Sequence, residues 1–228
     1  MRLLKKGCCD DCLLKCDLCL TAREMNIEGD LKPIHNQFKK HELISRQGEP
    51  VTHAIILLGG NAKIFIDGIN SKNIILNILL PSNYIGLMAV FGSPEYKYNV
   101  AALNDCITCH VDIATVRKMY YGNLNFMHKL NIQIGESISS MMSKLISLNQ
   151  KQVRGKVAES LLYLSELYDT TRFTLSITRR ELGELSAISE ENAVRVLTEF
   201  RNEGIIDMKG REIDLRDIIM LRKISAVG

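Results

Sequence analysis

A chain of 228 residues, 46% hydrophobic and 24% charged, has room for one large domain or two modest ones and the composition of a soluble globular protein. No apolar run approaches the roughly 20 residues of a membrane span, and MRLLKKGCCDD lacks the apolar core of a secretory signal, so a cytoplasmic protein with no membrane partner is expected. The net charge of +3 is too small to argue for a nucleic-acid partner, and residues 151–228 balance 13 Lys and Arg against 13 Asp and Glu, so any such case must rest on pattern.

Residues 8–19, CCDDCLLKCDLC, hold five of the seven cysteines and mark a cysteine-rich segment over residues 1–30. In a reducing compartment such density points to metal or redox chemistry rather than to structural disulfides. Cys9, Cys12, Cys16 and Cys19 have the short, regular spacing of a thiolate nest for a soft metal. Spacing alone leaves a four-thiolate zinc site, an iron–sulfur cluster and a thiol–disulfide switch open. Cys8, Cys12, Cys16 and Cys19 also fall on one face of a helix, as small buried residues would. The interleaved Asp10, Asp11, Lys15 and Asp17 belong near water and weigh against that alternative.

All four prolines fall within the first 94 residues, which suggests a loop-rich first half and a more helical second half. Between about 38 and 115, short apolar runs alternate with turn signals: THAIILLGGNAKIFIDGINSKNIILNILLPSNYIGL reads as four strands separated by GGN, DGINS and LPSN turns. Residues 31–122 therefore predict a small β barrel or sandwich, with KIFID alternating as a strand with one wet face would. Cys106 and Cys109 lie in its last strand, LNDCITCHVD, where His110 would face the side opposite Cys109. The histidines, His35, His41, His53, His110 and His128, are scattered, and each reads as a surface or helix residue before an axial ligand.

Over residues 123–150 the period changes. Met127, Asn131, Ile134, Ile138, Met141, Leu145 and Leu148 are spaced 4, 3, 4, 3, 4, 3, an a/d seam that predicts a coiled coil, read here as a parallel homodimer. Asn131 on the seam would specify register or partner number. A long helix lying on its own barrel, or an antiparallel pair, would satisfy the same spacing.

Residues 151–228 predict a winged helix-turn-helix. The chain looks helical from 152 to Tyr168 and breaks at DTTRF. Thr178 and Glu181 then form a capping box, Leu182, Leu185 and Ala187 carry the helix to a tight turn, and Ser189 caps a second helix. In that second helix Val194, Leu197 and Phe200 are read as the buried stripe and Gly204 as the stop. GIIDM and REIDL around KG make a β hairpin. No His/Asp/Ser constellation with catalytic spacing appears, so a metal-dependent enzyme is the remote alternative.

This order of parts, an α+β chain of barrel, long helix and winged helix-turn-helix, resembles the cyclic-AMP receptor/FNR (Crp/Fnr) family of transcription regulators over about residues 30–215, most sharply in ITRRELGELSAISEENAVRVLTEF. The resemblance implies a β-roll, an inverted-repeat operator on double-stranded DNA, and RNA polymerase as a further partner. It implies base reading by Glu191 and Arg195, a carboxylate suited to cytosine N4 and a guanidinium suited to guanine O6 and N7. Ser189 and Asn192 belong to the same surface, while Thr178 and Arg179 take the place of phosphate contacts. Outside such a motif, Glu191 and Arg195 would be read as a solvated i, i+4 ion pair.

The nucleotide cassette of the family departs here. YIGLMAVFGSPEYKYNVAA keeps Ile85 and Gly86 but has Leu87 in place of the ribose-binding glutamate, and Tyr96, Lys97 and Tyr98 near the place of the phosphate-binding arginine, so cyclic AMP is not expected. The FNR-like branch implies instead a [4Fe-4S] cluster held by the N-terminal cysteine group, Cys9, Cys12, Cys16 and Cys19, together with Cys109. Zinc and haem are its alternatives. Met25 stands where the branch would place its last N-terminal ligand, which leaves open which four thiols bind.

Overall fold

The computed structural model describes residues 2–3, 9, 12, 14, 16–68 and 73–228. Cys8, Asp10, Asp11 and Lys15, and the DGINS turn from Ile69 onward, lie outside the described residues. Two compact units are distinguished, one running to Phe65 and resuming over Asn77–Ser139, the other formed by Ile66–Leu76 with Ser140–Gly228.

The first unit is a β-roll with helices on one face. Its elements run β1 (Arg2–Leu3), α1 (Asp17–Glu24), α2 (Glu28–Leu31), β2 (Ile34–Phe38), β3 (Leu43–Ser45), β4 (His53–Gly59), β5 (Ala62–Ile66), β6 (Ile74–Leu79) and β7 (Tyr84–Ile85). After a 3-10 turn at Leu87–Phe91 come β8 (Asn99–Ala102), β9 (Cys106–Asp112), α3 (Ile113–Gly122) and α4 (Leu124–Gln150), whose residues from Ser140 onward belong to the second unit. One sheet has the order β1-β2-β9-β4-β7, the other β3-β8-β5-β6. The turn signals found in the sequence thus separate strands at the expected places. In KIFID, Lys63 and Asp67 keep one face toward water, and Phe65 between them is buried, with the Lys63 ammonium 5.1 Å from its ring.

Register decides what lies on which side of the first sheet. Ile55 pairs with His110 and Ile85, and Leu57 with Thr108, while Ala54 pairs with Val111 and Ile56 with Cys109. Opposed residues project to one face and successive residues alternate. Ala54, Ile56, Cys109 and Val111 therefore share a face, and it is the covered one: Leu18 and Ala22 of α1, Val116, Met119 and Tyr120 of α3, and Phe126 and Leu130 of α4 close over it. These side chains are almost fully buried and supply most of what holds the helices to the sheet.

Helix α4 uses two adjacent faces. Phe126 and Leu130 pack on the chain's own core, while the heptad positions Ile138, Met141 and Leu145 are exposed. Met127 is half-buried against that core, and Asn131 accepts from the Tyr120 hydroxyl at 3.0 Å. Ile134 and Leu148 are half-buried, whereas Ile138, Met141 and Leu145 are 52%, 43% and 59% exposed. The heptad positions thus divide: Met127 and Asn131 engage the chain's own core, as a helix lying on its barrel would, and Ile138, Met141 and Leu145 form an exposed apolar stripe.

The second unit contains α5 (Val153–Leu167), β10 (Arg172–Thr174), α6 (Arg179–Ser186), α7 (Glu190–Asn202), β11 (Ile206–Lys209), β12 (Glu212–Leu215) and α8 (Ile218–Val227). The DTTRF break proves to include a strand, since β10 pairs with β12 and gives the wing a third strand in the order β10-β12-β11. Helix α8 was not anticipated from the sequence. Gly204, at φ +73°, ends α7 in the left-handed conformation that glycine adopts without cost. The guanidinium of Arg154 stacks over the Phe200 ring at 5.0 Å and forks to Glu203 at 2.7 and 2.8 Å, fastening α5 to α7.

Candidate nucleic-acid interface and thiol site

The helix-turn-helix is built by local chemistry. The Thr178 hydroxyl accepts from the Glu181 amide at 3.1 Å while the Glu181 carboxylate accepts from the Thr178 amide at 2.8 Å, a complete capping box. Ala187 takes the left-handed conformation at the turn, and the Ser189 hydroxyl accepts from the Asn192 amide at 3.3 Å to start α7.

The buried stripe of α7 is Ala193, Val196, Leu197 and Phe200. Val194, read from the sequence as part of that stripe, is 42% exposed and lies on the outer face instead. The reason is angular: with Ala193, Val196, Leu197 and Phe200 inward at helical spacing, position 194 is turned about 100° away. Ser189, Glu191 and Arg195 are exposed beside it, with Asn192 half-buried. Glu191 does not form the i, i+4 pair with Arg195. The Arg195 guanidinium donates to Glu199 at 2.5 Å and to Asn192 Oδ1 at 3.3 Å. Hydrogen bonding from its own amide and from Ser189 holds the Glu191 carboxyl below its ordinary range. Arg179 has a structural duty: it donates to the Gly210 carbonyl at 2.7 Å and so pins the wing turn, while its Nη1 is buried with no partner.

In the first unit the cysteines separate into two groups. Cys106 points to the roll side of the sheet and donates to the Asn61 carbonyl at 3.2 Å. Burial pushes its thiol up to about 11. Cys109 points to the helix-covered face, where Cys9 and Cys16 pack against the same cluster. Burial raises the Cys109 thiol first, and the neighbouring Cys16, Cys9 and Cys12 raise it further. Cys9 is pushed up to about 12 by burial and then by Cys19, Cys16 and Cys12. Cys16 is the N-cap of α1; burial raises its thiol, while the amides of Cys19 and Leu18 favour its ionised form. Cys19 is buried with its thiol donating toward the Cys9 carbonyl at 3.8 Å.

Cys9 thus lies near Cys12, Cys16 and Cys19, and Cys109 near Cys9, Cys12 and Cys16. Among the described residues, no group of three or more His, Cys, Asp or Glu side chains is arranged to hold a metal ion as it stands. The donor set fits a thiophilic centre in its chemistry: it is all sulfur, with Cys19 and Cys109 buried and Cys9, Cys12 and Cys16 half-buried, and the causes acting on Cys9 and Cys109 are burial and other thiols, with no basic side chain among them. Buried thiols of this kind ionise only beside a compensating positive charge. Met25 is not part of the group. As the C-cap of α1 it stands about 13 Å along the helix from Cys16, and its methyl would meet a Cβ on Gly122 at 2.6 Å.

Two neighbours of Cys109 escaped sequence reasoning. His35 is its cross-strand partner on β2, and Tyr84 lies one strand beyond Ile56 on β7. Their proximity comes from register across distant strands, for which a single sequence carries no signal. His110 faces the other side, as alternation required, and shares a 2.9 Å hydrogen bond with Thr108.

The nucleotide cassette is occupied by its own side chains. The Gly86 amide donates to the Tyr98 hydroxyl at 3.4 Å, and a Cβ on Gly86 would stand 3.2 Å from the Tyr96 ring. Lys97 is exposed and paired with Glu95 at 3.6 Å, and Leu87 packs into the cluster beneath α1.

Comparison with known proteins agrees with this architecture. The family model for the cyclic nucleotide-binding domain matches residues 35–122, and that for the Crp-like helix-turn-helix domain matches residues 155–224. The chain is 24% identical to the transcriptional activator protein anr of Pseudomonas aeruginosa, over 97% of this chain and 93% of that protein. It is 24% identical to the cAMP-activated global transcriptional regulator CRP of Escherichia coli, over 79% and 88%. The solved structure of FixK2 from Bradyrhizobium japonicum shares the fold, with a TM-score of 0.79 at 20% identity, over 86% of this chain and 98% of that one. With both halves matched in the same order as in those regulators, the chain belongs to the Crp/Fnr family of transcription regulators.

Proposed function

We propose that the chain is a homodimeric regulator whose binding to double-stranded DNA is set by a [4Fe-4S] cluster held between β9 and the segment ahead of α1. The observation that carries this is the placement of Cys109 on the helix-covered sheet face, where Cys16, Cys9 and Cys12 are its thiol neighbours. Those four would be the ligands, with Cys19 turned to the Cys9 carbonyl. When bound, the cluster supplies a centre sensitive to oxygen, nitric oxide and redox poise.

The chain's own residues supply the rest. Cys16 is the N-cap residue of α1, and α1 packs on α3 and on the start of α4. Ligation would therefore fix the position of α1 against the helix that bears the seam. The exposed stripe of α4 around Ile138, Met141 and Leu145 is proposed to meet its copy in the partner subunit. Two α7 helices about 34 Å apart would then enter successive major grooves of an inverted repeat. Glu191 and Arg195 would read bases, beside Ser189, Asn192 and Val194, with Thr178 and Arg179 near the phosphates. Contact with RNA polymerase is proposed on family resemblance alone. Cyclic AMP is disfavoured by the tyrosines that occupy the cassette, and haem by the engagement of His110 on the far side of the sheet.

Anaerobic purification with iron, sulfide and zinc analysis tests the reading. About four irons and four sulfides per chain, lost in Cys109→Ser and kept in Cys106→Ser, support it. One zinc and no sulfide would replace the cluster by a structural four-thiolate site. Equal loss in both variants would overturn the assignment of Cys109.

A further inference from the structure

Tyr84, Ile56 and Cys109 form one cross-strand row: Ile56 pairs with Tyr84 on one side and with Cys109 on the other. Opposed residues share a face, so all three side chains lie beneath α1, and two strand spacings put the outer backbones about 10 Å apart. Tyr84 packs against the same cluster as Cys9, Cys16 and Cys109. Its hydroxyl oxygen is buried and has no hydrogen-bond partner. Native structures seldom leave such a group unanswered. The Leu18 amide faces this oxygen without completing a hydrogen bond, and an amide can only donate, so the phenolic proton has no acceptor in any case. Beyond burial, the ionised forms of Cys16, Asp17 and Cys109 are the charges that bear on the hydroxyl, with Cys16 foremost.

We propose that the Tyr84 hydroxyl donates a hydrogen bond to the Cys16 sulfur when the thiol site holds its metal centre, and thereby positions that ligand and tunes the centre. The inference rests on the proposed thiolate site and adds a partner to it. A coordinated thiolate is an acceptor that a buried phenol can satisfy, and hydrogen bonds to coordinating sulfur stabilise the more negative state of a centre. Cys16 is the N-cap residue of α1 and its side chain makes no capping hydrogen bond, so Tyr84 would be a hydroxyl donor to that sulfur.

The test compares the full chain, Tyr84→Phe and Tyr98→Phe after anaerobic reconstitution with iron and sulfide. Tyr98 is the control, a half-buried tyrosine whose hydroxyl accepts from Gly86 outside the thiol site. Support is equal cluster loading in all three, with Tyr84→Phe alone showing a more negative midpoint potential, several-fold faster bleaching in air, and loss of part of the Fe–S stretching shift seen on transfer to D2O. Cobalt(II) loading reads the same contact without cluster assembly, since the sulfur-to-cobalt charge-transfer band should move in Tyr84→Phe and stay put in Tyr98→Phe. Wild-type loading with Tyr84→Phe unchanged in potential, bleaching, vibrational shift and cobalt band overturns the role of Tyr84 and leaves the thiolate site standing. A wild-type chain that takes up neither iron and sulfide nor cobalt overturns both.

Discussion

Asp17 and Lys129 stand 112 positions apart in the chain and meet in a salt bridge of 2.6 Å. Asp17 is the first residue of α1, directly after the capping Cys16, and Lys129 lies early in α4. At the other end of α1, Glu24 accepts from the Asn123 side chain at 3.0 Å. The helix that begins at a thiol is therefore tied at one end to α4 and at the other to Asn123, which ends α3 and accepts from the Phe126 amide of α4 at 2.9 Å. Both ties are partly exposed and weak; burial of Leu18, Cys19 and Ala22 supplies the affinity, and the ties supply the alignment.

Asp17→Asn should accordingly cost less than about 1 kcal/mol in denaturant unfolding. It should nonetheless shrink the difference in operator affinity between cofactor-loaded and cofactor-free protein, measured by fluorescence anisotropy under anaerobic and aerated conditions. Lys129→Met should do the same. If the difference persists in both variants, the route from thiol site to seam does not pass through this pair.

The pairing of Arg195 with Glu199, in place of the i, i+4 pair with Glu191, shapes the second prediction. Arg195→Ala should remove preference for one guanine in each half-site, a loss of about 1–3 kcal/mol in discrimination. Glu199→Gln should keep that preference, because it releases the guanidinium without removing it. A binding-site selection experiment on the two variants reads both outcomes.

Ile138 and Leu145 are each more than half exposed on α4, and a charge there should cost nothing in an isolated chain. Ile138→Glu should convert the dimer to a monomer in light-scattering chromatography and weaken operator binding by at least tenfold. Far-UV circular dichroism should stay unchanged. A dimer that survives both Ile138→Glu and Leu145→Glu would place the interface elsewhere.

Thr178 has its hydroxyl committed to the capping box, which separates its structural work from any contact with phosphate. Thr178→Ala should destabilise the chain by about 1 kcal/mol, and Thr178→Ser should restore it. Chemical denaturation of the two variants measures the cap, and their salt-dependent DNA affinity measures the phosphate contact.

The helix-turn-helix is legible in the sequence because its signals are local. Thr178 with Glu181, Ser189 with Asn192, and Gly204 after α7 each act within one helical turn, so spacing alone declares them. The same spacing misplaces Val194, since a run of mixed apolar residues leaves the centre of the buried arc undefined by one position until a neighbour is present. Strand β10 escapes the sequence pattern because three residues of strand show no period, whereas α8 does carry a local signal in Asp217, whose carboxylate caps it by accepting from the Met220 amide at 2.8 Å.

The thiol site divides along the same line. The sequence by itself determined that seven cysteines were available, that four of them were spaced for a soft centre, and that Cys109 and His110 would face opposite ways, because composition and alternation are properties of neighbours in the chain. Only the tertiary structure decided that Cys109 and not Cys106 faces α1, that Met25 stands at the wrong end of the helix, and that Tyr84 brings an unanswered hydroxyl to the same place. Those outcomes depend on strand register and on which face the helices bury, and register is settled by long-range packing, where a shift of one residue along a strand would turn Cys106, Cys109 or Tyr84 to the other side of the sheet.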